Sequence, residues 1–212
     1  MLHLLKKAPA MPALLLSSDS PKLREAYNRI RTNLDARLRG IACPVVGVSS
    51  PGEGEGAAAC CENLAVSFAR LGRRVLLIDA DLRAEVPPAL LSRPEGGLCE
   101  RLAGEQVLPL SVEVCDTLWI LPRGHAEGNP TDLLGGPAFL QVLRSLAEGY
   151  DMMFVSLPSV NGYADACAAS SAMSGMVLAV AAGYTDRRRA ADALNALYNV
   201  RATLLGTVAV DR

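Results

Sequence analysis

Six short runs in this chain are apolar at nearly every position: "CPVVGVS", "RRVLLIDADLR", "TLWILP", "YDMMFVSLP", "MVLAVAAG" and "TLLGTVAV". A strand with one wet face alternates apolar and polar residues. A strand without that alternation buries both faces. Helical sequence separates the runs. Ser20-Pro21 reads as a helix start with Pro at the first helical position, and "KLREAYNRIRTNLDARL" continues to Gly40. A second helix is expected over residues 57–71, ending at Gly72, with others around 137–148, 164–171 and 186–198. Buried strands alternating with helices predict a mainly parallel sheet with helices on both faces. With 212 residues, half of them apolar, the chain suits one α/β domain, expected over residues 20–212. Residues 1–19, with two lysines and a broken apolar stretch, read as a flexible arm, with weak contact to a membrane surface as the alternative.

Between the first run and the second helix lies "GVSSPGEGEGAAACCENLA". Strand, glycine loop and helix form the architecture that cradles phosphates. Gly54, Glu55, Gly56, Ala57 and Ala58 are the candidate loop residues. No lysine and no loop-closing Ser or Thr follow the glycines. Two more positions stand out at strand ends: Asp79 and Asp81 in "LLIDADLR", and Ser156 in "MMFVSLP". Carboxylates at a strand's carboxyl end are solvated, cap a turn, or serve as metal ligand and general base. Without a nearby cation, the two closely spaced acids are expected to raise each other's pKa. The net charge of −1 gives no electrostatic footprint for nucleic acid. The six cysteines lack zinc-like spacing, and the adjacent Cys60 and Cys61 suit a reducing compartment better than a disulfide.

The stretches "SPKLREAYNRIRTNL", "VVGVSSPGEGEGAAACCENLA", "VLLIDADLR", "LWILPRGHAEGNPTDLL", "YDMMFVSLPSV" and "LLGTVAV" occur in an order that resembles the cytoplasmic domain of bacterial tyrosine kinases. These are P-loop autokinases of capsule and exopolysaccharide synthesis. The resemblance implies a P-loop NTPase-like fold and the use of ATP and Mg2+. Counted from "VVGVSS" or from Asn63-Leu64-Ala65, the family's lysine falls on Ala57 and its hydroxyl on Ala58. A second register would put Glu55 and Gly56 there, and neither supplies a cation. The family's two aspartates match Asp79 and Asp81. Its distal magnesium-associated aspartate matches Ser156. Its oligomerisation motif, a glutamate with arginines three and six positions later, matches Glu25 and Arg31 but has Asn28 in the middle. A one-residue shift to Arg29 rotates a helical side chain by about 100°.

The resemblance therefore implies a family member with degenerate nucleotide motifs: a pseudokinase acting as regulator or scaffold. The implied partner is a membrane chain-length modulator of polysaccharide export, here a separate polypeptide. Homo-oligomers or mixed assemblies with an active paralogue are further expectations. The implied location is the cytoplasm, with recruitment to the inner face of the membrane. The candidate binding surface is the first helix around Glu25 and Arg31, with the sheet edge near Val208. A still-active tyrosine autokinase is the first alternative. A partitioning-type deviant P-loop ATPase is the second, although Gly52 stands where that group carries a lysine. A structural domain unconnected with polysaccharide is the third. The chain ends in "TVAVDR" without the family's tyrosine-rich tail, and His3 and His125 are read as solvated rather than catalytic.

Overall fold

The run "VVGVS" becomes strand β1 (Val45–Ser49), in which every residue is buried. The computed structural model describes residues 20–84, 96–112 and 115–210; the arm expected over 1–19 lies outside them. β2 (Val75–Asp79), β4 (Cys115–Leu121), β5 (Met152–Ser156), β6 (Gly175–Ala181) and β7 (Leu204–Val210) correspond to the other five runs. A short strand, β3 (Leu110–Val112), completes a seven-stranded sheet of order β3-β4-β2-β5-β1-β6-β7. All neighbours are parallel except β3, which runs antiparallel to β4 at one edge.

Strict two-residue alternation explains why the strands look uniformly apolar. Val75 and Leu77 of β2 join one core cluster, with Met152 and Phe154 of β5. Leu76 and Ile78 join the other, with Met153 and Val155. Both faces are dry, so every position needs an apolar residue. The first face is covered by helix α1 (Pro21–Arg37) and helix α2 (Ala57–Ala69). α2 lies between α1 and the sheet, and ten of its residues are buried; α1 buries only Tyr27 and Leu34. Phe68 of α2 meets Phe154 with ring centroids 5.4 Å apart. Burying each such ring contributes roughly 1.5–3 kcal/mol.

The opposite face is covered by α3 (Leu98–Leu102), α4 (Pro130–Gly135), α5 (Pro137–Ala147), α6 (Asp165–Ala169) and α7 (Arg187–Asn199). Phe139, Leu143 and Leu146 of α5 and Leu197 of α7 fill this second core. The caps follow local chemistry. Ser20 Oγ accepts the N–H of Leu23, and Asn129 and Asp186 side chains accept N–H groups in the first turns of α4 and α7. The expected helix over 57–71 stops at Ala69, and Gly72 turns the chain with φ +79°. The helix expected over 164–171 is α6 followed by a 3₁₀ turn at Ser170–Ala172. Among the described residues the six cysteines are all free thiols, with Cys60 pushed up to about 12 by burial. No helix of the described residues is long and apolar enough to cross a membrane.

Candidate functional site

β1, β5 and β2 lie side by side, so their carboxyl ends open onto one cleft. Strand register sets Val48 beside Ser156 and Ser156 beside Asp79. The glycine loop leaves β1 at Ser49 and ends at Gly56, the N-cap of α2, in the left-handed region with φ +85°. A side chain there would be strained, whereas Gly accepts that φ freely. The loop is tied to the segment after β5. Ser49 Oγ donates to the carbonyl of Pro158 at 2.6 Å, and the N–H groups of Val160 and Asn161 donate to the carbonyls of Ser50 and Pro51. Ser50 Oγ donates to the carbonyl of Gly52 at 2.8 Å.

A cavity of about 570 Å³ lies over this loop, lined by Gly54, Gly56, Ala57 and Ala58 on one side and by Asp81, Ser156 and Ser159 on the other. Among the described residues, Glu53, Asp81 and Arg83 are the charged side chains that line it. Glu55, one of the candidate loop residues, does not line it. Its carboxylate is fully buried, takes a hydrogen bond from Thr185 Oγ1 at 2.7 Å, and sits 3.8 Å from Arg189 Nη1. Gly52 leaves room for this arrangement. A Cβ there would lie 2.5 Å from Arg189 Nη2 and 2.7 Å from Glu55 Oε1.

The guanidinium of Arg83 is already matched. It donates to both oxygens of Asp165 at 2.7 and 3.0 Å, and that carboxylate is wholly buried. Thr131 Oγ1 donates to the same carboxylate at 2.5 Å. Arg83 also stacks over Tyr163, 4.5 Å from the ring centroid. A hydrogen bond to the Glu53 carboxylate raises the pKa of the Tyr163 hydroxyl.

Asp79 is matched as well. Arg123 Nε donates to Asp79 Oδ2 at 2.8 Å, and Nη2 of the same guanidinium forms an ion-pair contact with that oxygen at 2.6 Å. Burial raises the Asp79 pKa, and Arg123 opposes that rise; the charge of Asp81 adds the smallest contribution. The expected mutual shift of the two acids is thus secondary to burial. Asp81 caps its own turn, with Oδ1 accepting the N–H groups of Arg83 and Ala84 at 3.3 and 3.2 Å. Glu62, on α2, is pushed up to about 7 by burial and then by the Asp79 charge. The Ser159 hydroxyl, buried on the cavity wall, has no hydrogen-bond partner among the described residues.

The oligomerisation positions stand apart from this cleft. Arg31 turns onto α2, where Nη1 donates to the carbonyl and hydroxyl of Ser67 at 3.0 and 3.2 Å. Glu25 pairs with Arg29 at 3.2 Å on an exposed helix face. The Asn28 carbonyl accepts the Thr32 hydroxyl. The N–H of His125 donates to Glu100 Oε1, so its loop is anchored rather than free.

Mg-ATP does not fit these residues. Ala57 and Ala58 offer no cation or hydroxyl, the Arg83 guanidinium that lines the cavity is neutralised by Asp165, and Asp79 is paired with Arg123. Among the described residues no group of three or more His, Cys, Asp or Glu side chains could hold a metal ion. Sequence reasoning assigned no role to Arg123, Asp165, Thr185 or Arg189. For Arg123 a signal existed: it follows β4 by two residues and so lies at the same carboxyl edge as Asp79.

No family model matches the chain. It is 32% identical over 187 residues to the tyrosine-protein kinase YwqD of Bacillus subtilis, covering 87% of this chain and 79% of that protein. It is 28% identical over 198 residues to the succinoglycan biosynthesis transport protein ExoP of Rhizobium meliloti, covering 90% of this chain and 25% of that protein. The solved kinase domain of the Escherichia coli tyrosine kinase ETK superposes with a TM-score of 0.85 at 22% identity, covering 98% of this chain and 83% of that one.

Proposed function

This chain belongs to the bacterial tyrosine-kinase family, and we propose that it acts there as a catalytically inactive regulator or scaffold. The observation that carries the reading is the charge of the cleft. Phosphoryl transfer from ATP depends on fixed cations around the phosphates and on a bound metal. Here the walls present Glu53 and Asp81, while the guanidinium of Arg83 is held by a buried carboxylate. A hydrogen bond to a charged group contributes roughly 1.5–3 kcal/mol. Losing the lysine and the hydroxyl together therefore removes about a hundredfold or more in affinity. The retained aspartates support no catalytic role in their present pairing.

The wider role follows from the family. The succinoglycan-transport relative supports a place in the assembly or export of capsule or exopolysaccharide. The partner we infer is a membrane chain-length modulator, with the chain held at the inner face of the membrane and assembled with copies of itself or of an active paralogue. Complex formation is indifferent to ATP, because no nucleotide-dependent state exists to bias it.

Calorimetric titration with Mg-ATP and Mg-ADP tests the reading directly. The expected Kd is no tighter than roughly millimolar. Micromolar affinity for either nucleotide overturns it and restores the autokinase. Co-purification with cytoplasmic segments of a membrane chain-length modulator tests the partner. A complex that forms only with ATP counts against the scaffold.

A further inference from the structure

We propose that Arg123 is a built-in counter-ion that occupies, within the chain, the place a divalent cation would take at the aspartate end of β2. The inference deepens the regulator reading and rests on it for its significance: a scaffold needs this cleft neutralised and held, not loaded.

The geometry carries the assignment. Mg2+ requires a near-octahedral set of oxygens at short range. Both oxygens of Asp79 are already engaged. Oδ2 accepts the Nε–H of Arg123 at 2.8 Å and lies 2.6 Å from Nη2 of the same guanidinium, and Oδ1 accepts the N–H of Asp81 at 3.2 Å. The strand neighbour of Asp79 is Ser156, which brings a hydroxyl and no charge. Asp81 is turned to its own backbone. One guanidinium thus does electrostatically what a cation does elsewhere, without needing a ligand set.

The arginine is also preorganised. β4 pairs with β2 so that Leu121 lies beside Ile78, and the next residues of each strand therefore emerge together. The backbone of Arg123 is fixed by the first turn of α3, where Cys99 N–H donates to the Arg123 carbonyl at 2.9 Å and Leu98 N–H to that of Pro122 at 2.7 Å. Its remaining arm, Nη1, donates to the Ala84 carbonyl at 2.8 Å. Arg123 therefore clamps both ends of the turn from Asp79 to Ala84. Its side chain is 13% exposed and that of Asp79 25%, so water screens the pair only weakly.

The test uses the full chain and Mn2+ alone, without nucleotide, so it is independent of the ATP titration. Free Mn2+ is followed by electron paramagnetic resonance and stability by thermal denaturation. The wild-type protein is expected to bind Mn2+ no tighter than roughly millimolar, with a Tm that does not respond to the ion. Arg123→Gln exposes Asp79 and Asp81, binds Mn2+ about tenfold tighter or more, and gains Tm with added Mn2+. Adding Asp79→Asn removes that gain, and Arg123→Lys, which keeps the charge, stays insensitive. A folded Arg123→Gln that binds no better than wild type overturns the proposal. So does wild-type binding in the micromolar range that Asp79→Asn abolishes, and this arm decides the matter if Arg123→Gln does not fold. Tight ATP binding with no Mn2+ site would defeat the regulator reading and leave the counter-ion standing.

Discussion

The two ends of the parallel sheet use the same chemistry to different effect. At the amino end, Arg74 precedes β2 and Asp151 precedes β5, and they pair at 2.8 Å with side chains 52% and 41% exposed. At the carboxyl end, Arg83 meets an Asp165 that is wholly buried, and Arg123 meets Asp79 at a quarter exposure. An exposed pair exchanges water for a partner at little net gain. A shielded pair is different: removing one member strands the other in a poor dielectric. The difference teaches that the cleft is not a site emptied of charge. It is a site in which Asp79 and Asp165 have each been given an arginine partner, while the amino end merely stitches two strand starts together.

The strongest blow to this comparison comes from Arg83→Ala. It leaves Asp165 buried with Thr131 as its remaining side-chain donor, and should lower the unfolding free energy by about 3 kcal/mol in urea titrations. A loss no larger than that from Arg74→Ala would erase the distinction between the two ends. The next largest effect is a gain. Ala57→Lys, Ala58→Ser and Ser156→Asp together should raise nucleotide affinity about a hundredfold, while each alone does little. Calorimetry with and without Mg2+ sharpens the point, because binding should stay indifferent to the metal until Arg123→Gln is added.

Arg123→Gln by itself should destabilise by about 2 kcal/mol, less than Arg83→Ala because water reaches Asp79. Equal losses for the two arginines would show that exposure does not rank these pairs. The smallest effect belongs to Arg74→Ala, which should barely move the denaturation midpoint at neutral pH. Its pH dependence is the better reading. Hydrogen bonds from Arg74 hold the Asp151 carboxyl below its ordinary value. That stabilisation is present above the unfolded-state pKa, about 3.9, and is lost as pH falls through the lower folded value. Wild type and variant should therefore converge in acid. A difference that persists there would assign the effect to packing of the Arg74 stem.

Much of the frame was legible residue by residue. Runs such as "VLLID" and "MMFVS" had no polar phase, and only a sheet covered on both faces accommodates that. Ser20-Pro21 marked the start of α1 because a hydroxyl cap and a fixed φ are local properties. The three residues of β3 were not legible, since so short a segment shows no period and its antiparallel place depends on β4. The contacts of Glu55 were not legible for a related reason. Its position in the loop was plain, but the direction of its side chain is set by Thr185, 130 residues away.

By itself, then, the sequence determined the layering of the fold and the residue types the loop presents, because apolar periodicity, caps and residue types act locally. It could not determine which side chains meet the acids of the cleft. Arg123 reaches Asp79 across 44 residues, and Arg83 reaches Asp165 across 82. Those meetings follow from strand order, with β4 beside β2, and from the packing of α4 and α6 over the strand ends. Ion pairing depends on distance in space and on the exclusion of water, and only the tertiary structure sets either of them.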